Sequence, residues 1–265
     1  MQIQVENFAL LANVISQSKN IYVMVTKDAD EDQLSAAIFL EENLIALDKK
    51  VLIIAPGNIP ENLRFFAAKI SNHIPTKKLV VSFNWRKNEI EKVAYNLEGE
   101  NFNFVINPRN KKINTEEIKI YHSGDEPDLI ITLGIESLSE ITGLDRDVLE
   151  SKTIVNIDKK STNEGFGSLN FVHPDADSIS AITAVVSEKL NLLVKKGSAD
   201  LLMRGIKFAT NNFKEVKDAA TFEAAAYCTK LSESMQQKPQ EKSPTQAQTE
   251  NLDTDKLFRA KQITN

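Results

Sequence analysis

The sequence predicts an α/β fold: a doubly wound, mainly parallel five-stranded sheet with helices on both faces and a small β-hairpin insertion. Five short runs are mainly apolar rather than alternating, which is typical of strands buried on both faces. Longer stretches with apolar residues at helical spacing separate most of these runs. Two alternating segments on either side of Gly99 predict the hairpin.

The individual elements follow from the same patterns along the chain. Apolar residues recur every three or four positions in six predicted helices, in chain order 6–17, 32–47, 62–70, 177–193, 199–208 and 219–231. The buried strands are predicted at 21–25, 51–54, 79–83, 129–133 and 153–157, and the hairpin strands at 92–97 and 102–106. Pro56 ends the second strand, and Asp177 is predicted to cap the fourth helix.

The composition changes sharply near the end of the chain. We expect one α/β domain over residues 1–231, with the β insertion at about 87–121. From Ser232 onward Gln, Lys, Ser and Pro dominate, and such residues cannot bury apolar area. Residues 232–265 are therefore predicted to be a disordered tail that could bind a protein partner. A second, substrate-binding domain is not expected.

Charge and composition exclude several classes of protein. The 265 residues are 42% hydrophobic and carry 32 Lys and Arg against 37 Asp and Glu, a net charge of −5. A duplex-DNA binder usually has a basic excess, so this function is not expected. The single Cys228 excludes a disulfide framework and indicates a reducing compartment. No apolar run approaches the roughly 20 residues that span a bilayer, so we predict a cytoplasmic protein without membrane binding.

Acidic residues follow the first predicted strand, at the edge of the sheet where ligands bind in folds of this class. Asp30 and Asp32 directly precede a predicted helix. Paired carboxylates suit magnesium or manganese, so both are candidate metal ligands. Acids at a helix N-terminus also cap the helix and complement its dipole. Both interpretations stay open at this point.

A mixed charged segment follows the last predicted strand. Asp158 ends that strand and two lysines come next. The segment offers a run of donors that could bind phosphate, namely Lys159, Lys160, Ser161, Thr162 and Asn163. The alternative is that the lysines pair with acids at the neighbouring strand end.

Four segments in this order resemble motifs of the DHH phosphoesterase superfamily. The segment I-Y-V-M-V-T-K-D-A-D-E-D-Q-L (21–34) resembles its first motif, a strand followed by His-x-Asn-Pro-Asp-x-Asp and a helix. P-D-L-I-I-T-L-G (127–134) resembles the second, which normally ends in Asp. N-I-D-K-K-S-T-N (156–163) resembles the Asp-His-His motif, and G-I-K-F-A-T (205–210) resembles Gly-Ile-x-x-Asp-Thr. The resemblance covers about 5–231 and implies the fold of oligoribonuclease, single-strand exonuclease and manganese pyrophosphatase relatives.

The resemblance also implies a site, which this chain matches poorly. Members of the superfamily hold two divalent cations, usually manganese, that activate a water for attack on phosphorus. Among the ligand positions only Asp30 and Asp32 keep their residue type, as residual metal ligands. The substituted positions are Thr26, Gly134, Lys159 and Ala209. A lysine places a fixed positive charge where a cation would bind, and its ammonium has no lone pair for a metal.

Three functional interpretations therefore remain. An ion-pair network could fill the old metal site of a non-catalytic domain with a regulatory or scaffold role. Lys159 and Lys160 could instead bind a nucleotide or short oligonucleotide without metal. The third is a phosphoesterase that hydrolyses phosphodiester bonds of short oligonucleotides or nucleotides; Asp158, Lys159 and Lys160 are candidates for its pocket, and no residue is assigned as catalytic. We expect a non-catalytic protein without a cofactor, and manganese or magnesium only if activity is retained.

Overall fold

A six-stranded parallel sheet forms the centre of the protein. The computed structural model describes residues 5–234 apart from 77, 88, 125, 193, 194 and 196. The sheet has the order β10-β9-β8-β1-β2-β3, and its neighbouring strands all pair in parallel. Its strands are β1 (Asn20–Val25), β2 (Lys50–Ile54), β3 (Ile70–Ser71), β8 (Leu129–Leu133), β9 (Thr153–Asp158) and β10 (Leu169–Val172). The α/β fold class is confirmed.

Helices connect these strands and cover the two faces unequally. The helices are α1 (Val5–Gln17), α2 (Glu31–Ala46), α3 (Arg146–Ser151), α4 (Ile179–Lys189), α5 (Ala199–Ala209) and α6 (Ala220–Ser234). Short 3-10 helices lie at Glu61–Lys69, Thr115–Glu117 and Leu138–Glu140. The larger core lies on one face of the sheet and includes residues of every helix except α3, with α2 and α4 on the strands and α5 and α6 packed against these helices. A smaller core on the other face includes Leu149 of α3.

The apolar strands predicted the sheet because both of their faces are buried. All five residues of β8 are buried, as are all but the first residue of β1 and of β9. A strand covered on one face only would alternate apolar and polar residues. Mainly apolar runs without this alternation are therefore typical of central strands, and the prediction is confirmed for β1, β8 and β9.

The number and identity of the strands differ from the prediction. The segment 79–83 does not join the central sheet, because Lys78–Ser82 (β4) pairs antiparallel with Lys119–Ser123 (β7). The short strands β3 and β10 take the two edges of the sheet instead. A short apolar run has no feature that distinguishes a sheet strand from a half-exposed hairpin strand, since the long-range pairing decides between them.

Asp177 does not cap α4 as predicted. Ser178 is the N-cap residue, and its hydroxyl oxygen accepts a hydrogen bond from the amide of Ala181 at 2.8 Å. The helix ends at Lys189 rather than 193, and Asn191 follows with a left-handed φ of 48°. Ser178 is the cap because its backbone has the extended conformation of an N-cap residue (φ −150°, ψ 145°).

The segment between β3 and β8 forms an arm, which we define as strands β4 to β7. Ile90–Glu98 (β5) and Asn101–Pro108 (β6) pair antiparallel around a turn in which Gly99 has φ 59°. This confirms the hairpin predicted at 92–97 and 102–106. The strands β4 and β7 flank this hairpin along the chain and pair with each other, so the arm consists of two separate two-stranded sheets.

Some predictions are not tested by this structure. In the part of the chain that is described, no helix is long and apolar enough to cross a membrane. Helix α6 continues to Ser234, and the remainder of the predicted tail lies outside the described residues. The domain boundaries, the tail and the cytoplasmic location stay predictions.

Candidate functional site

A cleft of about 400 Å³ lies at the carboxyl edge of the sheet. It is lined by Thr26, Lys27, Asp28, Asp30, Asp32, Gln33, Glu136, Glu140, Asp158, Lys159, Lys160 and Ile179. The chain leaves β1 and β8 in opposite directions across the sheet, so this cleft lies at the topological switch point where such folds bind ligands. A larger cavity of about 790 Å³ at the opposite ends of the strands contains none of the predicted site residues.

Asp32 lies at the base of the cleft and is almost fully buried, with 1% of its surface exposed. Its Oδ2 accepts a hydrogen bond from the amide of Ile179 at 2.8 Å, and its Oδ1 accepts one from the amide of Ser180 at 2.9 Å. The carboxylate of α2 therefore complements the N-terminus of α4. Burial raises the pKa of the Asp32 carboxyl, although Lys159 and the α4 amides oppose the rise.

Lys159 is positioned to balance the charge of Asp32. Its Nζ lies 3.8 Å from Asp32 Oδ2 and donates a hydrogen bond to the backbone carbonyl of Asp177 at 2.8 Å. The side chain thus bridges α2 and the loop before α4. The predicted pairing of this lysine with an acid at a neighbouring strand end is present in the structure.

Asp158 is fully buried at the end of β9 and is held by its own loop. Its Oδ1 accepts a hydrogen bond from the amide of Lys159 at 2.7 Å, and its Oδ2 accepts one from Asn163 Nδ2 at 2.8 Å. The same Asn163 amide donates to the carbonyl of Ile135, while its oxygen accepts from Asn156 Nδ2. Burial raises the pKa of Asp158. Asn163 thus connects two strand ends, and its polar atoms are engaged inside the fold.

Lys160 faces a different acid, which sequence reasoning missed. Its Nζ lies 2.5 Å from Glu136 Oε1, and the Thr162 hydroxyl donates to Glu136 Oε2. Hydrogen bonds from Lys160 and Thr162 lower the pKa of Glu136, and the same carboxylate raises the pKa of Lys160. The Lys160 ammonium and the Thr162 hydroxyl thus form an anion-binding position, which we call the phosphate seat, and the Glu136 carboxylate occupies it. Its position just after β8, at the same sheet edge, was the signal that could have identified it.

Asp30 is the N-cap residue of α2. Its Oδ1 accepts hydrogen bonds from the amides of Asp32 and Gln33, and the Gln33 side chain accepts from the Asp30 amide. This is a capping box, so the capping interpretation of Asp30 is present in the structure. The Asp-x-x-Gln spacing would have revealed the role of Gln33 from sequence.

Gly134 follows β8 with a left-handed φ of 73°. A Cβ at this position would lie 2.0 Å from Gln33 Nε2 and 3.1 Å from Ile179 Cδ1. The space next to Gly134 is therefore filled by the glutamine of the capping box. A side chain at this position requires Gln33 to move.

The remaining predicted residues are distributed unevenly. Thr26 lines the cleft with Asp30, Asp32 and the two lysines. Ser161 is exposed on the loop after β9, and Ala209 ends α5; neither is among the residues lining the cleft. Three more of the predicted residues, Gly134, Thr162 and Asn163, are likewise not among the lining residues, although each contacts a residue that is.

The donor set does not fit a pair of divalent cations. Within the described residues, no three His, Cys, Asp or Glu side chains form a group that could hold a metal ion. Both oxygens of Asp32 accept backbone amides, and a lysine Nζ lies 3.8 Å from one of them. Two-metal sites need several anionic or imidazole ligands around cations about 3.5–4 Å apart. The cleft instead combines the buried carboxylates of Asp32 and Asp158 with the ammonium groups of three lysines, Lys27, Lys159 and Lys160.

Comparison with solved structures supports the fold. No protein-family model and no curated protein matches the chain. Among solved structures, it is similar to an exopolyphosphatase-related protein from Bacteroides fragilis, with a TM-score of 0.61 and 14% sequence identity. The match covers 86% of this chain and 57% of that protein, so the chain spans little more than half of its length. At this identity the likeness shows the fold alone.

Proposed function

We propose that this chain is a phosphoesterase-like protein of the DHH type that binds a phosphate-bearing ligand without two-metal catalysis. The observation that carries the proposal is the pairing of both lysines after β9 with acids of the cleft. Lys159 Nζ lies 3.8 Å from Asp32 Oδ2, and Lys160 Nζ lies 2.5 Å from Glu136 Oε1. An ammonium beside each carboxylate supplies the positive charge that a cation would otherwise supply.

The two lysines have different roles in this proposal. Lys159 is about two-thirds buried and bonds to the fold through Asp177, so it neutralises Asp32. The side chain of Lys160 is 44% exposed, and its partner Glu136 is 32% exposed. Exposed ion pairs contribute little free energy, so a phosphate can displace the glutamate from Lys160 and Thr162. Glu136 then acts as an internal competitor for the ligand.

The class of ligand follows from the chemistry of this seat. An ammonium and a hydroxyl that bind a carboxylate also bind phosphate oxygens, which have similar donor requirements. The DHH resemblance supports a nucleotide or a short oligonucleotide. The exopolyphosphatase-related description of the Bacteroides fragilis protein adds inorganic polyphosphate as a candidate. A regulatory or scaffold role, with the tail binding a protein partner, stays a prediction.

The experiment measures binding of AMP, a 5′-phosphorylated trinucleotide and tripolyphosphate by calorimetry, without divalent cations. We expect Glu136→Gln to strengthen binding roughly tenfold, because the internal competitor loses its charge. Lys160→Gln should abolish binding. Glu164→Gln is the matched control, because it removes the same charge from an exposed position on the loop after β9 and should leave affinity unchanged.

Two outcomes would overturn this proposal. Binding that is undetectable in both the wild type and Glu136→Gln would remove the phosphate seat. A saturable manganese-dependent rise in melting temperature, lost in Asp32→Asn and accompanied by trinucleotide hydrolysis, would instead assign the cleft to a working phosphoesterase.

A further inference from the structure

The β5–β6 hairpin of the arm has one face made entirely of apolar side chains. Three cross-strand pairs form this apolar face, namely Val93 with Ile106, Tyr95 with Phe104, and Leu97 with Phe102. Directly paired residues on antiparallel strands point to the same side, and alternate residues along each strand do as well. The stacked rings of Tyr95 and Phe102, with centroids 5.5 Å apart, confirm that the two strands share this face.

The apolar face is open to solvent in the single chain. Leu97 is 75% exposed, Tyr95 is 70% exposed and Phe102 is 64% exposed. The opposite face of the hairpin is mainly polar, with one apolar pair, Ala94 with Val105, among Lys92 with Asn107, Asn96 with Asn103 and Glu98 with Asn101. An isolated two-stranded hairpin is marginal in water, and it gains stability when an apolar face is covered. The side chains of the apolar face therefore do not pack in the core of this chain, and a binding partner could cover them.

We propose that this apolar face is the interface through which two copies of the chain pair, face to face around a two-fold axis. A two-fold interface brings the same patch of both copies together, so it must be self-complementary. The apolar face satisfies this condition because none of its six side chains is charged. Pairing it with its own copy therefore brings no like charges together.

The area of the face is adequate for a stable dimer. Aromatic side chains cover about 150–250 Å² each, so three of them with three aliphatic side chains, mostly more than half exposed, offer roughly 600 Å² per copy. Two copies would bury roughly 1,200 Å² in total, which reaches the lower bound of stable interfaces.

A second copy fits this face better than a single-stranded nucleic acid does. Aromatic side chains on a β surface can stack with bases, and Tyr95, Phe102 and Phe104 could serve in that way. However, half of the face is aliphatic, and no lysine or arginine lies on it to meet a phosphate backbone. Aliphatic side chains between aromatic ones are instead typical of interface cores between proteins.

The test is the oligomeric state of the full chain, measured by sedimentation velocity from about 1 to 100 μM. We expect a dimer for the wild type, and a dissociation constant raised at least tenfold in Leu97→Glu, which places two charges in the interface. Asn96→Glu is the matched control, because it adds the same charge at the neighbouring position on the polar face. It should leave the dimer intact, and the melting temperatures of both variants verify folding.

A second measurement needs no variant. Hydrogen exchange of residues 93–97 and 102–106 should slow with increasing protein concentration if this hairpin is the interface. A wild type that stays monomeric at 100 μM, or equal weakening by both variants, would overturn the proposal. A monomer that binds oligothymidylate, with binding lost only in Leu97→Glu, would assign the face to nucleic acid instead.

Discussion

Gly205 of α5 faces Ser180 of α4 so closely that a Cβ on the glycine would lie 2.0 Å from the serine Oγ and 3.0 Å from Asp32 Oδ1. Ser180 in turn donates from its hydroxyl to the Asp32 carbonyl and from its amide to the Asp32 carboxylate. The glycine thus allows α5 to pack beside the buried acid. This gives a physical reason for the glycine in the Gly-Ile segment that resembles the fourth motif.

Gly205→Ala should destabilise the protein although alanine is the better helix former. The added methyl group must displace Ser180, and overpacking of this kind costs about 1–3 kcal/mol. The helix propensity of alanine returns at most about 1 kcal/mol. Urea unfolding monitored by circular dichroism gives the net loss.

The double variant Gly205→Ala with Ser180→Ala provides the control. Removing the serine hydroxyl relieves the nearest contact, so the double variant should lose less stability than the sum of the two single variants. Additive losses would show that the two residues do not compete for this space.

Lys159→Met should lower stability by roughly 2 kcal/mol at neutral pH, less than the 3–5 kcal/mol typical of a fully buried pair, because Lys159 is partly exposed. The loss should grow with pH. Lys159 lowers the pKa of Asp32 against the effect of burial, so its removal raises the folded-state pKa further. At a pH below the folded-state pKa of Asp32 in both the wild type and the variant, Asp32 is neutral and Lys159 contributes little. At a pH above both values, the buried carboxylate of the variant is charged and lacks the ammonium that balances it in the wild type.

Unfolding free energies at pH 4 and pH 7.5 measure this difference. Lys27→Met is the matched control, because Lys27 is exposed on the rim of the same cleft. It should change stability by less than about 0.5 kcal/mol at either pH. A pH-independent loss in Lys159→Met would contradict the charge-balancing role of this lysine.

Asn163→Ala should behave as a structural variant rather than as the loss of a phosphate donor. The substitution leaves Asp158 Oδ2 and Asn156 Nδ2 without the partners that they have in the fold, at a cost of about 1–3 kcal/mol. Chemical denaturation measures the loss. Ser161→Ala, at an exposed position two residues earlier, should leave stability unchanged. If Asn163→Ala kept full stability but bound nucleotide more weakly, the result would support the sequence-based assignment of Asn163 as a phosphate donor.

Asp177→Ala should destabilise the protein at neutral pH and have little effect in acid. Burial raises the pKa of Asp177, but bonds from the Asp218 amide, the Thr221 hydroxyl and the Lys217 amide outweigh it and lower the pKa overall. A lowered pKa stabilises the folded state above the unfolded value near 3.9, and this contribution is lost as pH falls through the folded value.

Asp177→Ala should lower the free energy of unfolding at pH 7 by about 1–2 kcal/mol, because the side chain accepts backbone amides just before α6 much as an N-cap residue does. Thermal unfolding from pH 7 to pH 2.5 follows the difference from wild type, which should shrink toward the acid end. Asp175→Ala, at an exposed position two residues away, serves as the control. An equal loss at all pH values would show that the side chain acts by packing alone.

The sequence predicted the central strands well and the edge strands poorly. Strands β1, β8 and β9 are buried on both faces, so their residues are mainly apolar and do not alternate with exposed polar ones. The edge strand β3 has only two residues, too few for any pattern to be recognised. The segment 79–83 is apolar without being central, because its partner Lys119–Ser123 lies about forty residues later in the chain.

The site was predicted as a set of positions but not as a set of partners. The strand-end rule identified Asp32, Asp158 and Lys159, which the structure brings to one cleft. It did not indicate that Lys160 pairs with Glu136 or that Asn163 bonds to Asp158. Such pairings depend on loop conformations, which local sequence patterns leave undetermined.

The contact between Gly134 and Gln33 has a consequence for how this cleft can evolve. An acidic residue at position 134 would have to adopt a left-handed φ of 73°. Gln33, whose side chain also closes the α2 cap, would have to change its rotamer to make room for the new side chain. Either change alone meets a clash or an opened helix end. Introducing an acid at position 134 therefore strains the backbone and also breaks the Gln33 bond of the α2 cap, so the chemistry of the cleft and the stability of α2 are coupled through this pair.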